Sequence, residues 1–356
     1  MSKHIAGAIG WVERGLVPDR VVRFGIRRLL RARLAELGGG DSAATARLTR
    51  EFIPAMHGAE LAPLADKANE QHYELPAAFF GEVLGGHRKY SSGYWPSGAR
   101  ALDEAVAAGR ALTCEHAGLA DGQKVLELGC GWGSLSLWIA RRYPASQVTA
   151  LSNSHSQRLH IEAEARRRGL HNLQVVTADI NAFDTAERFD RVVSVEMFEH
   201  LRNWPRAFAK VSRWLAPQGR FFMHVFTHRA APYAFVARDE SDWMSRHFFS
   251  GGMMPSDELA ARCQQSLQLL DHWQWNGTHY RRTAEAWLEN MDRRRHALRP
   301  LFASTYGAEA GVWWNRWRVF FMSVAELFGF AGGRQWGVSH YLFENPHRAV
   351  DARDVC

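Results

Sequence analysis

The sequence predicts an α/β protein built on a doubly wound sheet of about seven strands, with a helical segment before the sheet and helices that cover it. The stretch KVLELGCGWG, at residues 124–133, joins a short apolar run to three closely spaced glycines and then to a helical pattern. From Asp121 onward, apolar runs of strand length alternate with helical patterns, as they do in a parallel sheet. Two last apolar runs, LQLLDHWQWNG and GVSHYLFEN, predict a closing pair of strands.

The elements of the sheet can be placed along the chain from these patterns. Strands are predicted at KVLEL, QVTAL, LQVVTA, RVVSVE and RFFMHVF, and helices at SLSLWIARRY, SQRLHIEAEARRRG and PRAFAKVSRWLA. Ser134 stands where an N-cap residue is expected for the first of these helices. A long helical stretch from Ala284 to Phe330 separates the last two strands. We therefore expect successive strand–helix steps followed by a hairpin-like pair.

Composition divides the chain into five segments. We predict a basic helical segment over residues 1–68, an aromatic lid and its leading helix over 69–120, the sheet core over 121–230, a helical cap with the final strands over 231–346, and a tail over 347–356. The lid is an irregular stretch that begins at Asn69, and its aromatic residues are Tyr73, Phe79, Phe80, Tyr90, Tyr94 and Trp95. Such a stretch can cap the core, cover a ligand, or do both.

The 356 residues, 46% of them hydrophobic, are enough for a large core. The four cysteines, Cys114, Cys130, Cys263 and Cys356, are far apart and do not form a disulfide or zinc pattern. The sequence shows neither an apolar run of about 18 residues nor a signal-peptide pattern. We therefore predict a cytoplasmic protein without a metal site.

The net charge of +7 is concentrated in residues 1–40, which carry eight Lys/Arg and three acidic residues. The remainder is nearly balanced, so a nucleic-acid surface is not predicted there. Residues 11–36 have the pattern of a basic amphipathic helix. Such a helix can lie on an anionic membrane or pack on the protein with a solvated charged face; we favour packing.

Polar residues follow successive strands of the predicted sheet, at the edge where doubly wound proteins bind their ligands. Asn153 and Gln157 come after the second strand, and Asp179 and Ile180 after the third. A dinucleotide-binding enzyme usually carries an acidic residue after the second strand, and this chain does not. Each residue alone could be a cap or a turn residue, but together they favour an adenosyl ligand beside the glycine turn.

Three ionisable residues, Glu196, Glu199 and His200, follow the fourth strand in the segment EMFEH. If a helix starts here, Glu196 and His200 lie on the same face, four residues apart. His224 ends the fifth strand, where it is either a buried structural histidine or part of the same site. Because ionisable groups at a central strand end are costly unless bonded or functional, we predict a catalytic cluster.

Several long segments resemble the cyclopropane-fatty-acid synthase superfamily of S-adenosylmethionine-dependent methyltransferases. They are VLELGCGWGSLSLWIA, ALSNSHSQ, VVSVEMFEH, HVFTHR and WMSRHFFSGGMMPS. EMFEH, DHWQWNGTHY and VAELFG are most similar to the branch that contains plant coclaurine N-methyltransferase. The resemblance covers roughly residues 69–346, and it implies the Rossmann-like fold of class I methyltransferases.

The resemblance also implies which residues bind S-adenosylmethionine and which face the methyl acceptor. The implied cofactor-binding residues are Ser92, Gly129, Gly131, Asn153, Gln157, Asp179, Ile180 and Val195. The implied catalytic residues are Glu196, Glu199, His200 and His224. The chain departs from the cyclopropane synthases at Ser92 and Phe320, where those enzymes use a cysteine and a tyrosine to hold bicarbonate. Both departures argue against bicarbonate binding and against cyclopropanation.

We therefore predict N-methylation of a small amine, with His200 and Glu196 or Glu199 removing the proton of the ammonium form. Tyr94, Trp95 and Trp336 are candidates to hold that cation against an aromatic face. The alternative acceptor is an unsaturated lipid acyl chain, which the basic N-terminal helix would suit. A third hypothesis is a non-catalytic scaffold protein. The glycine turn and the ionisable cluster argue against it, because a scaffold needs neither. Homodimer formation and peripheral membrane contact stay open.

Overall fold

The computed structural model describes residues 2–64, 75–238 and 242–346, with side chains from residue 7 onward. Tyr73 and Asn69 of the predicted lid, the predicted boundary at 68–69 and the tail 347–356 lie outside the described residues. Among the helices that are described, none combines the length and the apolar character needed to cross a bilayer.

Seven strands form one sheet in the order β3-β2-β1-β4-β5-β9-β8, and β6 and β7 pair separately. The strands are β1 Lys124–Leu128, β2 Gln147–Ser152, β3 Leu173–Thr177, β4 Phe189–Val195, β5 Leu215–His228, β6 Tyr233–Ala234, β7 Met253–Met254, β8 Gln268–Asn276 and β9 Trp336–Glu344. Strands β1 to β5 are parallel, whereas β9 is antiparallel to both β5 and β8. The order reverses at β1 and β4, so the carboxyl ends of these two strands flank the ligand-binding edge.

The described helices surround this sheet. They are α1 Ser2–Glu13, α2 Asp19–Glu36, α3 Ser42–His57, α4 Ala77–Val83, α5 Leu102–His116, α6 Ser136–Arg142, α7 His155–Arg167, α8 Trp204–Trp214, α9 Trp243–His247, α10 Leu259–Cys263, α11 Thr278–Arg293, α12 Arg295–Tyr306 and α13 Ala310–Gly329. The predicted helix over 11–36 is divided between α1 and α2, because Gly15 adopts φ 73° and Pro18 caps α2. The predicted helical stretch over 284–330 is likewise three helices.

Three other local predictions need correction. Helix α6 begins at Ser136 with Leu135 as its cap residue, so Ser134 lies within the glycine turn. The connection between β3 and β4, residues 178–188, is a turn and contains no helix. Asp179 organises that turn, since its carboxylate accepts hydrogen bonds from the backbone and the side-chain amide of Asn181. The closing strands are adjacent in the sheet but are separated in the chain by α11 to α13, so they are not a hairpin.

The apolar core has one part on each face of the sheet and a third within the helical cap. Helix α8 packs Trp204, Phe208 and Trp214 on one face, where all three are almost completely buried. Helices α5 and α6 cover the other face. The cap packs α4 against α11 and α13 through an aromatic cluster that includes Phe79, Trp287 and Trp317. These contacts hold the cap helices over the carboxyl ends of the strands.

Helix α2 is tied to the cap by ion pairs. Arg23 lies 2.6 Å from Glu285 of α11 and 3.1 Å from Glu326 of α13, and Arg27 lies 2.9 Å from Glu326. Val22, on the same side of the helix, is buried. This face of the basic helix therefore packs on the protein. The opposite face is exposed, and Arg20, Val21, Phe24 and Arg28 lie on it.

Candidate active site

The glycine turn after β1 is fixed to the end of β2. The backbone N–H groups of Gly129 and Cys130 both donate to the carbonyl of Leu151, at 3.0 and 2.9 Å. Gly129 adopts φ 74°, and a Cβ there would lie 2.6 Å from Cγ of Met197. Gly131 adopts φ 52°, but a Cβ there would meet nothing within 4 Å. Gly129 is therefore required for packing, and Gly131 borders open space where a ligand can approach the backbone.

A cavity opens beside this turn. It is lined by Arg88, Lys89, Tyr90, Ser91, Arg110, Thr113, Glu127, Gly129, Cys130, Gly131, Trp132, Ser134, Leu135, Val195 and Glu196. Four of the residues predicted from sequence, namely Gly129, Gly131, Val195 and Glu196, thus line the same space. The cavity joins the carboxyl ends of β1 and β4, where the strand order reverses.

Two buried cations reach this cavity, and sequence reasoning found neither. Lys89 donates to the carbonyl of Ser92 at 2.7 Å, and its burial lowers its pKa to about 8. Arg110 is 4% exposed and donates to the carbonyl of Ser134 at 3.2 Å, and burial lowers its pKa to about 10. Among the described residues, Nε and Nη2 of Arg110 have no hydrogen-bond partner. A buried guanidinium with two unused donors is a site for a carboxylate.

Glu127 supplies a buried carboxyl group at the end of β1. It is 2% exposed and accepts a hydrogen bond from the hydroxyl of Ser136. Burial raises its pKa to about 7. An acidic residue inside the apolar run KVLEL was a signal in the sequence, because a buried acid in a strand is costly without a purpose. Cys130, next to the turn, is 5% exposed, and burial raises the pKa of its thiol well above the usual value.

Glu196 is the most highly connected carboxylate of the site. Its Oε1 accepts from the backbone N–H of Ser92 at 2.9 Å and lies 3.1 Å from Nε2 of His224. Its Oε2 accepts from the hydroxyl of Tyr280 at 2.6 Å. A carboxylate has about four lone-pair positions, so one position on Oε2 is left for a proton or a ligand. Burial raises the pKa of Glu196, which makes it a stronger base than an exposed glutamate.

The backbone of Glu196 is strained, and this corrects the prediction that a helix starts there. Glu196 adopts φ 48°, which a residue other than glycine rarely does. A short 3₁₀ turn follows at Phe198–His200, so Glu196 and His200 do not share a helical face. Strain of this kind is found at functional sites, where the surrounding structure holds a side chain in an unusual direction.

Glu199 and His200 follow Glu196 in the chain, and burial favours the neutral form of each. Glu199 is completely buried, and its Oε1 accepts from the backbone N–H of Phe226 at 2.7 Å. Burial, together with the charge of Glu196, raises the pKa of Glu199 well above the usual value, so we treat it as a neutral acid. Burial lowers the pKa of His200 to about 4, so it is a neutral imidazole, and its ring stacks on Phe249 at 4.5 Å.

The other residues predicted to bind the cofactor lie at the neighbouring strand ends. Gln157 accepts from the hydroxyl of Ser152 at 2.6 Å, and its buried Nε2 has no partner among the described residues. Asn153 is exposed, and Asp179 forms the turn described above. Ile180 packs at the edge of the core beside that turn. The hydroxyl of Ser92 donates to the carbonyl of Gly93, so Ser92 contributes its backbone N–H to the site.

The aromatic residues predicted to hold a cation are used elsewhere. The guanidinium of Arg282 lies 4.2 Å from the ring of Trp95, and Tyr94 stacks on His279. Trp336 is 1% exposed and donates to Tyr233. None of the three is among the described residues that line the cavity. Sequence reasoning also missed Tyr280, which brings a hydroxyl to Glu196 from α11. Phe320 packs in the apolar cap, stacked on Phe248.

The sheet and its glycine turn define the class of this protein: a class I S-adenosylmethionine-dependent methyltransferase. A profile of the mycolic acid cyclopropane synthetase family matches residues 64–329. The chain belongs to this family. It is 34% identical, over 94% of both sequences, to (S)-coclaurine N-methyltransferase of Thalictrum flavum subsp. glaucum. It is 29% identical to the cyclopropane-fatty-acyl-phospholipid synthase of Escherichia coli K12, covering 72% of this chain and 68% of that one.

Solved structures confirm the fold. A coclaurine N-methyltransferase crystallised with N-methylheliamine and S-adenosylhomocysteine superimposes with a TM-score of 0.92 at 34% identity, covering 96% of this chain and 99% of that one. A cyclopropane synthase of Mycobacterium tuberculosis superimposes with a TM-score of 0.66 at 23% identity, covering 78% of this chain and 97% of that one. The predicted fold class and the family resemblance are therefore both confirmed.

Proposed function

We propose that this protein transfers a methyl group from S-adenosylmethionine to the nitrogen of an amine. The observation that carries the proposal is Glu196, a strained and buried carboxylate with a raised pKa and one unused lone-pair position, which lines the cavity beside the glycine turn. An alkylamine reaches the protein mostly as ammonium and cannot attack until it loses a proton. A carboxylate in this position both attracts the ammonium and accepts its proton.

The residues of the cavity fit the polar groups of S-adenosylmethionine. The two unused N–H donors of Arg110 suit the carboxylate of its methionine part, and the carboxyl of Glu127 suits the ammonium. The unpartnered Nε2 of Gln157 suits a ribose oxygen at the end of β2. Open space at Gly131 lets the backbone approach the ligand. The bound molecule supplies an electrophilic methyl group, and the protein supplies orientation and a base.

Glu196 is assigned as the base in preference to His200. The pKa of His200, about 4, makes it too weak a base to take a proton from an alkylammonium efficiently at neutral pH. Burial and the charge of Glu196 raise the pKa of Glu199, which favours its neutral form, and its Oε1 holds the backbone of β5 at Phe226. The predicted cluster therefore has three roles: Glu196 accepts the proton, Glu199 supports the site, and His200 forms a neutral wall for the acceptor.

A lipid acyl acceptor is the second candidate, and two observations favour it. The matched profile is that of the cyclopropane synthetases, and α2 exposes apolar and basic side chains on one face. Val21 is 50% exposed and Phe24 59% exposed, beside Arg20 and Arg28. Such a face suits an anionic lipid surface. The (S)-coclaurine N-methyltransferase of Thalictrum flavum matches over 94% of the chain and the Escherichia coli synthase over 72%, and we therefore rank the amine first.

One screen separates the two acceptors. Release of S-adenosylhomocysteine is measured with a set of cyclic and acyclic amines and with unsaturated phospholipid vesicles, each with and without bicarbonate. Amine-dependent release that bicarbonate leaves unchanged is the expected result. Release that requires phospholipid and rises with bicarbonate would contradict the amine assignment.

Sedimentation with anionic vesicles at low and high salt tests the exposed face of α2, because binding through arginine weakens as salt is added.

The pKa of Glu127 gives a prediction for cofactor binding. Since this pKa is about 7, the group is ionised above pH 7 and neutral below it. We expect S-adenosylmethionine to bind more weakly as the pH falls below 7, by up to about tenfold per pH unit, because the attraction to its ammonium is lost. In a Glu127→Gln variant the affinity is low at every pH and nearly independent of pH. Titration calorimetry between pH values of about 6 and 8 measures both. Equal pH dependence in the variant would assign the effect to another group.

A further inference from the structure

Three histidines form a continuous hydrogen-bonded chain behind Glu196. Nε2 of His224 lies 3.1 Å from Oε1 of Glu196, and Nδ1 of His224 lies 2.8 Å from Nε2 of His340. Nδ1 of His340 in turn lies 2.8 Å from Nδ1 of His116. His224 and His340 are completely buried, whereas His116 is partly exposed. The chain therefore runs from the carboxylate of the cavity to the surface at the end of α5.

The sheet register creates this arrangement. Val195 of β4 is paired with His224 of β5, His224 with His340 of β9, and His340 with Trp273 of β8. His116 ends α5 and stacks on Trp273 at 4.0 Å with nearly parallel rings. Because both nitrogens of His224 and both of His340 are hydrogen-bonded, each ring can accept a proton at one nitrogen and donate one from the other. This is the arrangement that passes a proton from ring to ring.

The hydrogen bonds define consistent tautomers. A carboxylate can only accept, so His224 donates from Nε2 to Glu196, and its Nδ1 must accept from Nε2 of His340. Nδ1 of His340 then accepts from Nδ1 of His116. Transfer of a proton from Glu196 along the three histidines requires the reverse set of tautomers, in which Nε2 of His224 is free to accept. The transfer leaves the histidines in the first set. The first set fits an ionised Glu196 and the reverse set fits a protonated Glu196, so in each state every hydrogen bond of the buried rings is satisfied.

The surroundings favour three neutral histidines at rest, of which the outer one, His116, is the easiest to protonate. Burial lowers the pKa of His224 and of His340 well below the usual value, and the charge of Lys89 acts in the same direction. Burial also lowers the pKa of His116, but Glu115 and Asp271 oppose this effect, and both carboxylates are exposed. The charge of His272 in β8 also acts to lower the pKa of His340. A cation at His116 is further favoured by the carboxyl end of α5.

A metal site is not the explanation for these histidines. Nitrogen atoms 2.8 Å apart share a hydrogen, whereas two ligands of one metal ion lie farther from each other. Within the described part of the chain no group of three or more His, Cys, Asp or Glu side chains could hold a metal ion.

We propose that His224, His340 and His116 carry the proton removed from the acceptor amine out of the closed site to solvent. The inference rests on the proposed N-methylation. The ammonium gives its proton to Glu196, and the freed nitrogen lone pair then forms the N–C bond as the C–S bond breaks and its electrons stay on sulfur. With the rings in the reverse set of tautomers, the protonated Glu196 passes its proton to Nε2 of His224, each ring hands on the proton of its other nitrogen, and Nε2 of His116 releases one proton to solvent. The three rings then return to the reverse set before the next turnover, with no net change in their protons. No oxidant or further reactant is needed.

The test compares two acceptors of nearly equal shape. 1,2,3,4-Tetrahydroisoquinoline is an alkylamine that is protonated at neutral pH, and 1,2,3,4-tetrahydroquinoline is an arylamine that is not. A His116→Asn variant keeps a donor for His340 but cannot transfer a proton. We expect kcat for the alkylamine to fall by about tenfold or more in this variant, and kcat for the arylamine to stay nearly unchanged. A His272→Asn variant, which removes a neighbouring histidine outside the chain, serves as the matched control.

The outcomes separate the inference from the proposed function. If the wild type methylates both amines and His116→Asn slows both equally, or slows neither, the proton path is wrong while N-methylation stands. If the wild type methylates neither amine and acts on phospholipid, the proposed function fails. A His116→Ala variant gives a second readout, because added imidazole should restore the alkylamine rate through the opened surface position. Absence of rescue in a folded His116→Ala variant would also overturn the path.

Discussion

Glutamine in place of Glu196 is expected to lower kcat for the amine by about 10²- to 10⁴-fold, with little change in affinity for S-adenosylmethionine. Glutamine has the shape of glutamate, so it can keep the contacts with Ser92, His224 and Tyr280. It cannot accept the proton of the ammonium. The loss therefore falls on the chemical step, which a single-turnover measurement at saturating cofactor isolates.

The same variant has a predicted pH signature. Burial raises the pKa of Glu196, so the wild-type rate should rise with pH as this carboxyl ionises, and the rise should extend to higher pH than for an ordinary glutamate. In the Glu196→Gln variant that rise is absent. Glu187→Gln changes an exposed glutamate and is the control. Unchanged kcat in Glu196→Gln on an amine that the wild type methylates would remove Glu196 from the role of base.

The largest expected loss of stability follows from alanine at Gly277, between β8 and α11. A Cβ at this position would lie 2.1 Å from the carbonyl oxygen of Trp336 and 2.3 Å from that of Phe328. Both contacts are with backbone, so no side-chain rotation relieves them. We expect Gly277→Ala to lower the free energy of unfolding by about 3 kcal/mol or more, measured by chemical denaturation. Because Tyr280 follows three residues later, the change should also disturb its hydrogen bond to Glu196.

Gly25 provides the matched control for this substitution. It lies in the exposed part of α2, and a Cβ there would meet nothing within 4 Å. Alanine at this helical position should raise the free energy of unfolding by about 0.5–1 kcal/mol, through the lower entropy of the unfolded chain and the better helix propensity. If Gly277→Ala were as stable as the wild type, the close approach of β9 and α13 at this turn would be wrong.

The sequence allowed the parallel part of the sheet to be predicted because each strand is a short apolar run next to a helix of clear period. It also allowed the carboxyl-end residues to be identified, since the position of a ligand in this topology follows from the strand order. The helix boundary at Ser136 and the break near Gly15 could not be predicted, because the backbone geometry of single residues determines where these helices begin and end.

Contacts between distant segments account for the rest of what was missed. Tyr280 lies 84 positions after Glu196 in the chain, and His340 lies 116 positions after His224. The pairing register of β5 and β9 cannot be derived from the sequence of either strand alone. The contact between His224 and His340 could therefore not be predicted before the pairing was known. Lys89 and Arg110 were passed over because a cation in the sequence is usually a surface residue, and only the structure shows that both are buried.

The buried thiol of Cys130 has a consequence for the durability of the protein. A thiolate beside a bound sulfonium would be a strong competing nucleophile, and its methylation would inactivate the protein irreversibly. Burial and the nearby Glu127 hold the pKa of this thiol well above its usual range, so it is uncharged at neutral pH. Prolonged incubation with S-adenosylmethionine should therefore leave the intact mass unchanged. We expect the burial of this thiol to protect the protein from alkylation by its methyl donor.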